Sequence, residues 1–237
     1  ETILSGPAAS LVGARYLSGE ETVIVSDMGG TTTDIAMLKQ GRPVLNKEGA
    51  TVGGWKTMVE AVAVHTYGLG GDSEVRIDEH LGFTLGPRRV VPLSLLATQH
   101  PSIVDVLREQ AASDEMLQHR GEFALRQRPL DTGAAGLSQG QQQVWDRLAA
   151  GPVPLADMIV GPAIARHVQR LVDRGLVVIS GLTPSDAAHA LNRQSGWNCD
   201  AAELGARLFL RRAPQAGWKP PATAERLCLD IVECVVR

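Results

Sequence analysis

Residues 27–34 carry the densest chemistry in this 237-residue chain: Asp27-Met28-Gly29-Gly30-Thr31-Thr32-Thr33-Asp34. Two adjacent glycines reach backbone conformations that other residues resist, and they let the main chain approach a ligand closely. Successive amide N–H groups in such a turn form a nest for an anion. Thr31, Thr32 and Thr33 add hydroxyl donors. Asp27 would repel a phosphate unless a cation lay between them, and a magnesium ion, usually reached through water, meets that need. Read by residue type alone, the stretch fits a phosphate-binding turn and equally a tight β-hairpin with solvated acids at its ends.

A turn of this kind works only if regular elements hold it. Ser5 to Ser18 reads as a helix, with Ser5 as N-cap, Pro7 in the first turn and Gly19 as its end. Thr22 to Ser26 is a short β-branched run that fits a buried strand, and Thr31 to Leu38 is a second strand. The Gln40-Gly41 turn leads to a third strand around Arg42 to Leu45, so a helix is followed by a β-meander. Residues 49–97 hold more strands, with alternation in Val75 to Asp78 and near Leu81 to Leu85, and a turn signal at Gly86-Pro87. A second cluster lies among them: His65, then the Gly-rich run with Gly70, Gly71, Asp72 and Ser73.

Beyond Leu96 the pattern turns helical. Helices are expected over Pro101 to His119, after a Ser138 cap, over Ala163 to Arg174 with Gly175 behind it, and from a Thr183 cap with Pro184 first. A polar Arg/Gln-rich region separates the first two, and Pro152 to Met158 is a connector. Leu176 to Ser180 reads as a strand, and the tail, Ala201 to Leu210 and Ala222 to Val236, as helical. Two helices followed by a strand between Ser138 and Ser180 resemble a winged-helix module. Arg166, His167, Arg170 and Arg174 give it only a weak basic stripe. Arg88-Arg89 after Gly-Pro reads as a solvated turn, or as a contact for phosphate or carboxylate.

Composition bounds the class. Hydrophobic residues are 44% and charged residues 21%, which excludes a disordered chain, a collagen repeat or a coiled coil. Aromatic residues are only 4%, so the core must be built from Val, Leu, Ile and Ala. A net charge of −3 gives nucleic-acid or membrane binding no global electrostatic support, and no apolar run reaches the ~20 residues of a membrane span. Cys199, Cys228 and Cys234 are odd in number and lack CxxC spacing, so free thiols in a reducing cytoplasm are expected. The chain begins at Glu1, with no initiator Met and no signal peptide, which suggests a piece of a longer protein.

Five motifs in order carry a family resemblance. They are Ser5-Gly6-Pro7-Ala8-Ala9, then Asp27 to Asp34, then Val52-Gly53-Gly54, then Val64 to Ser73, then Gly86-Pro87-Arg88-Arg89. Together, over residues 5–89, they resemble the hydantoinase A/5-oxoprolinase family, within the actin-like ATPase superfamily. Residues 98–237 resemble it more loosely, chiefly at Gly181 to Ala187. The fold this implies is α/β: an actin-like (ribonuclease H-like) ATPase lobe with a β-meander and helices, carrying a mainly helical, winged-helix-like insertion. The implied division is a lobe at 1–97, an insertion at 98–193, and a helical segment at 194–237 that returns to the lobe.

The implied activity is ATP-dependent hydrolysis of a cyclic amide, a hydantoin or 5-oxoproline. ATP would phosphorylate the amide oxygen and water would attack the carbonyl carbon, since a neutral amide is a poor electrophile. Relatives with another role activate a ketone for carboxylation. Alternatives are a subunit of such a carboxylase, or a noncatalytic actin-like module that keeps the hairpin for its fold. Carried over, Gly29, Gly30, Thr31 and Thr32, with Thr33, would hold ATP phosphates. Asp27 would orient Mg²⁺ or its waters, and Asp34 would brace the hairpin or assist at the metal. In many relatives an acid stands two residues before the histidine, where this chain has Ala63, and a glycine stands at Asp72, so a metal role for His65 loses its partner.

One such hairpin is present, and no adenosine-type glycine segment follows residue 181. The implied partners are therefore a separate N-terminal lobe of the same parent chain and a hydantoinase B-type subunit or domain, with a cyclic amide as substrate. Neither a membrane nor a nucleic acid is expected.

Overall fold

The computed structural model describes residues 5–47, 51–52, 55–56, 61–78, 80, 82–115, 118–129 and 136–236. Gly53-Gly54, Leu81 and the Ser5 cap side chain, named above, lie outside the described residues. The chain divides into two compact units, Glu1–Gly71 and Asp72–Arg237, so the lobe expected at 1–97 spans both.

In the first unit, helix α1 (Ser5–Ser18) stops where Gly19 takes φ +71° and its N–H bonds the Arg15 carbonyl at 2.9 Å. Strand β1 (Val23–Met28) pairs antiparallel with β2 (Thr33–Lys39), with Asp27 opposite Asp34. Gln40 and Gly41 both adopt positive φ, 52° and 70°, the requirement of a tight two-residue turn into β3 (Arg42–Pro43). Short pairs follow: β4 (Leu45–Asn46) with β7 (Ala61–Val62), and β5 (Thr51–Val52) with β6 (Trp55–Lys56). Strand β8 (Val64–Tyr67) joins the same edge of β2 as β3, at its N-terminal half. Leu11, Ala36 and Leu38 are buried against Val23, Val25, Val62 and Val64, an aliphatic core as the composition requires.

The second unit opens with an antiparallel pair, β9 (Ser73–Asp78) and β10 (Gly82–Arg89). Gly86-Pro87, expected as a turn, lies inside β10, where the pairing register shifts between Leu85 and Arg89. A proline without an N–H is tolerated where a strand bulges. Strand β11 (Val91–Pro92) runs into α2 (Leu93–Gln99) and α3 (Ile103–Ala112). The latter ends seven residues before the expected His119. The polar stretch behind it contains a strand, β12 (Phe123–Arg126), with Phe123 and Ala124 buried. Then come α4 (Gln139–Arg147), β13 (Val153–Pro154), α5 (Leu155–Met158), α6 (Pro162–Asp173) and β14 (Val177–Gly181). Helices α7 (Pro184–Ala190), α8 (Cys199–Arg212) and α9 (Ala224–Val236) complete it. The sheet order is β11-β14-β12-β13, with β11 and β14 parallel and the other pairs antiparallel. One core joins this sheet to α4 and α6, and another joins α2 and α3 to Ala201 and Leu208 of α8. The three cysteines are free thiols, and no helix among the described residues is long and apolar enough to cross a membrane.

Two acids, the buried Asp186 and the partly buried Glu122, tie the second unit across long sequence distances. Asp186 is fully buried and accepts from the Leu93 amide (3.1 Å), the Ser94 amide (2.8 Å) and hydroxyl (2.6 Å), and the Thr183 amide (3.0 Å) and hydroxyl (2.9 Å). It therefore completes the capping box of α7 and also serves the N-terminus of α2, whose own N-cap position is Pro92, with no side-chain cap. Burial pushes its pKa up, and the donors from Ser94, Thr183 and Leu93 work against that rise. Glu122 pairs with Arg212 and with His119 Nδ1 at 2.7 Å. Burial would raise its pKa, but Arg212 and the His119 hydrogen bond outweigh this and hold it at about 2.

Asp186→Ala should orphan five donors and lower the stability of this unit by about 3–5 kcal/mol, read as a fall in the urea midpoint. Glu122 sets a pH dependence. Its folded pKa, about 2, lies below the ordinary 4.5, so its contribution is whole above about pH 4.5 and drains away as the pH falls toward 2. The loss is about 3 kcal/mol, and denaturation curves of Arg212→Met across that range should lose most of it, His119 keeping the remainder.

Candidate functional site

The register of β1 and β2 builds the site. Residues directly opposite in an antiparallel pair share a sheet face. Asp27 faces Asp34, and Asp34 in turn faces Thr66 on β8, so the three stand in one row across three strands. Val23, Val25, Ala36, Leu38 and Val64 alternate onto the same face, which packs with Val62 of β7 on Leu11 of α1. The acids thus end the apolar face beneath α1, at the tip of the hairpin. Ser10 of α1 donates to Asp27 Oδ2, and Thr66 Oγ1 donates to Asp34 Oδ1 at 2.5 Å.

The glycine run after β8 closes on the turn. The Gly71 amide bonds the Gly29 carbonyl at 3.0 Å, and the Thr33 hydroxyl donates to the Leu69 carbonyl at 2.7 Å. A Cβ on Gly70 would lie 2.6 Å from both the Gly29 carbonyl oxygen and the Gly30 carbonyl carbon. The Gly29 amide bonds the Thr32 carbonyl at 2.8 Å, so an anion nest here would draw on the amides of Gly30, Thr31 and Thr32. Gly29, Thr31 and Asp27 are exposed, whereas Thr33 is buried with its hydroxyl engaged and braces the turn. Two facing carboxylates and neighbouring hydroxyls form an all-oxygen donor set, which fits a hydrated Mg²⁺. An exposed amide turn beside them fits phosphate.

The other sequence candidates separate from this row. His65 stands opposite Ile35, on the reverse face of the sheet from Asp27 and Asp34. Asp72 and Ser73 belong to the second unit. There Asp72 Oδ2 accepts from Arg89 Nη2 at 2.8 Å and Nε at 3.1 Å. Arg88 donates with Nε (2.8 Å) and Nη2 to the buried Glu74, a hydrogen-bonded pairing that raises its pKa. Both arginines lie in strand β10 rather than a turn, and each is matched by an acid. With Val90, Pro92, Val172 and Ile179 they line an open cleft of about 370 Å³. Ser10 carried no signal in the sequence and Thr66 none beyond its place in the Val64 to Ser73 motif: hydroxyls 17 and 32 residues from their acids become visible as partners only once α1 and β8 are placed.

Residues 1–94 match the model of the hydantoinase/oxoprolinase family, in line with the resemblance drawn from residues 5–89. The acetone carboxylase beta subunit of Xanthobacter autotrophicus is 33% identical over 90 residues, which is 36% of this chain and 12% of that protein. The nucleotide-free structure of an ATP-dependent acetone carboxylase aligns with 98% of this chain and 32% of its own, at 18% identity and a TM-score of 0.36. The chain thus spans a small part of the length of each.

The close approach at Gly70 generates a test. Gly70→Ala drives a methyl group into main-chain atoms that cannot rotate away, and should cost about 1–3 kcal/mol in chemical denaturation. Gly68→Ala, where a Cβ meets nothing within 4 Å, should leave the midpoint near that of the wild type.

Proposed function

We propose that this chain supplies one phosphate-binding hairpin of an ATP-dependent enzyme that opens a cyclic amide, such as a hydantoin or 5-oxoproline ring, within a longer cytoplasmic protein. The observation that carries the reading is the Asp27–Asp34–Thr66 row beside the Gly29–Thr32 turn, in which Gly29 and Thr31 are exposed. The match of residues 1–94 to the hydantoinase/oxoprolinase family supports it. Gly30, Thr31 and Thr32 hold phosphate oxygens through their amides, with Gly29 giving the turn its close approach. Asp27 orients Mg²⁺ or its waters, and Asp34 assists from the opposite strand. The hairpin would present the terminal phosphoryl group of ATP to the amide oxygen, with ADP as the leaving group. Water would add to the activated carbonyl carbon, the adduct would break the ring C–N bond to leave an acyl phosphate, and a second water would release phosphate and the ring-opened carboxylate.

A second reading has its own support. The acetone carboxylase relative favours a ketone rather than an amide as the oxygen that is activated, with carboxylation in place of hydrolysis. Both readings use the hairpin in the same way and differ in what occupies the rest of the parent protein, where a second lobe and a hydantoinase B-type partner are proposed. The actin-like lobe is proposed at 1–97, the insertion at 98–193 and the returning segment at 194–237. The order β13–α5–α6–β14, with β12 paired between β13 and β14, supports a winged-helix-like form for the insertion. We assign it a packing or subunit-contact role rather than nucleic-acid binding, because Arg166 and Arg170 are a small positive surface in a chain of net charge −3.

Calorimetric titration of Mg·ATP into the full-length protein should show saturable binding, weakened roughly 10–100-fold in Asp27→Ala. Absence of binding to the wild type overturns the nucleotide reading. Product analysis with 5-oxoproline, a hydantoin and acetone plus bicarbonate then separates amide opening from carboxylation.

A further inference from the structure

We propose that Ser10 and Thr66 are positioning residues for the two hairpin carboxylates, each holding one carboxylate oxygen so that the other is presented in a fixed direction. The inference deepens the nucleotide reading above and rests on it. Asp27 and Asp34 stand directly opposite each other, an arrangement that like charges disfavour. The two hydroxyls come from opposite sides of this pair. Thr66 lies on β8, across β2 from β1, so its bond to Asp34 Oδ1 draws that carboxylate away from Asp27. Ser10 lies on α1 above the sheet and draws Asp27 through Oδ2.

Among the described residues, Asp27 Oδ1 and Asp34 Oδ2 make no hydrogen bond, so each carboxylate keeps one oxygen for a ligand. A strand carboxylate otherwise rotates broadly about its last torsion. A donor fixed to one oxygen removes that freedom before the ligand arrives, as outer partners do for metal-binding groups. Thr66 is itself held by the strand pairing that places Asp34, and Ser10 by the helix that carries buried Leu11. The orientation of both acids is thus transmitted from the core of the unit. Among the described residues, the hydrogen bonds of the two hydroxyls go to the acids rather than to the turn, so each acts through its acid.

The full-length protein tests this with Ser10→Ala, Thr66→Val and Thr66→Ser, read as the Mg²⁺ concentration giving half-maximal ATP binding. Thr66→Val and Ser10→Ala should each raise that concentration about tenfold, with wild-type affinity recovered at saturating Mg²⁺. Thr66→Ser should restore the wild-type value. An unchanged Mg²⁺ dependence overturns the proposal, as does a loss that Mg²⁺ does not recover or that Thr66→Ser fails to rescue. If Thr66→Val does not fold, Ser10→Ala decides by the same readout. Wild-type protein that binds no Mg·ATP defeats the nucleotide reading and this inference with it; wild-type binding with unaltered variants defeats this inference alone.

Discussion

The antiparallel register of β1 and β2 is the constraint on which the candidate site depends. A slip of one residue would turn Asp27 and Asp34 to opposite faces and bring Val25 out from beneath α1. The apolar residues decide the face, because Val23, Val25, Ala36 and Leu38 are buried together only in alignments that keep them on one side of the sheet. The acids are carried to their places by that burial. The same register sets where β8 adds to β2. That places Thr66 beside Asp34 and leads the chain on so that Gly70 meets Gly29 and Gly30. Aliphatic packing thus fixes polar geometry in a unit with few aromatic side chains to anchor it.

The second unit solves a related problem by the opposite means. Its short helix α2 begins after a proline and has no local cap, and the missing acceptor is a buried carboxylate more than ninety residues away. A buried carboxylate is costly unless it is saturated with donors, and Asp186 has five. The cost is tolerated because the acid serves two helix termini at once. Glu122 repeats the device with charged partners, linking β12 to the end of α8 through Arg212. These contacts hold together elements from the beginning, middle and end of the unit.

The sequence was most legible where the signal is local. The helix at Ser5–Ser18, its stop at Gly19, the strands flanking the Gly-Gly-Thr turn and the helix starts at Ser138 and Thr183 all follow from residue type and spacing, and the structure holds each of them. It was least legible where partners are remote. Phe123–Arg126 reads as polar chain, yet it is the strand between β13 and β14 that the sheet requires. Gly86-Pro87 reads as a turn, yet the pairing with β9 absorbs it as a bulge. Arg88 and Arg89 read as a solvated turn or as a contact for phosphate or carboxylate, yet they lie in a strand where Glu74 and Asp72 meet them across the β9–β10 pair, with Arg89 still exposed.

By itself the sequence determined the chemistry on offer: a glycine turn with amides and hydroxyls, an acid at each end, and an aliphatic core to support it. Those properties belong to residue types and to spacings of a few residues, which local sterics and hydrogen bonding control. Only the tertiary structure decided which groups act together. It put Asp27, Asp34 and Thr66 on one face and His65 on the other, spent the Thr33 hydroxyl on Leu69, and brought Ser10 to Asp27. The reason is that side chains alternate across a sheet, so their company depends on strand register and on which strand lies alongside. Both are set by burial summed over the whole unit rather than by any one motif.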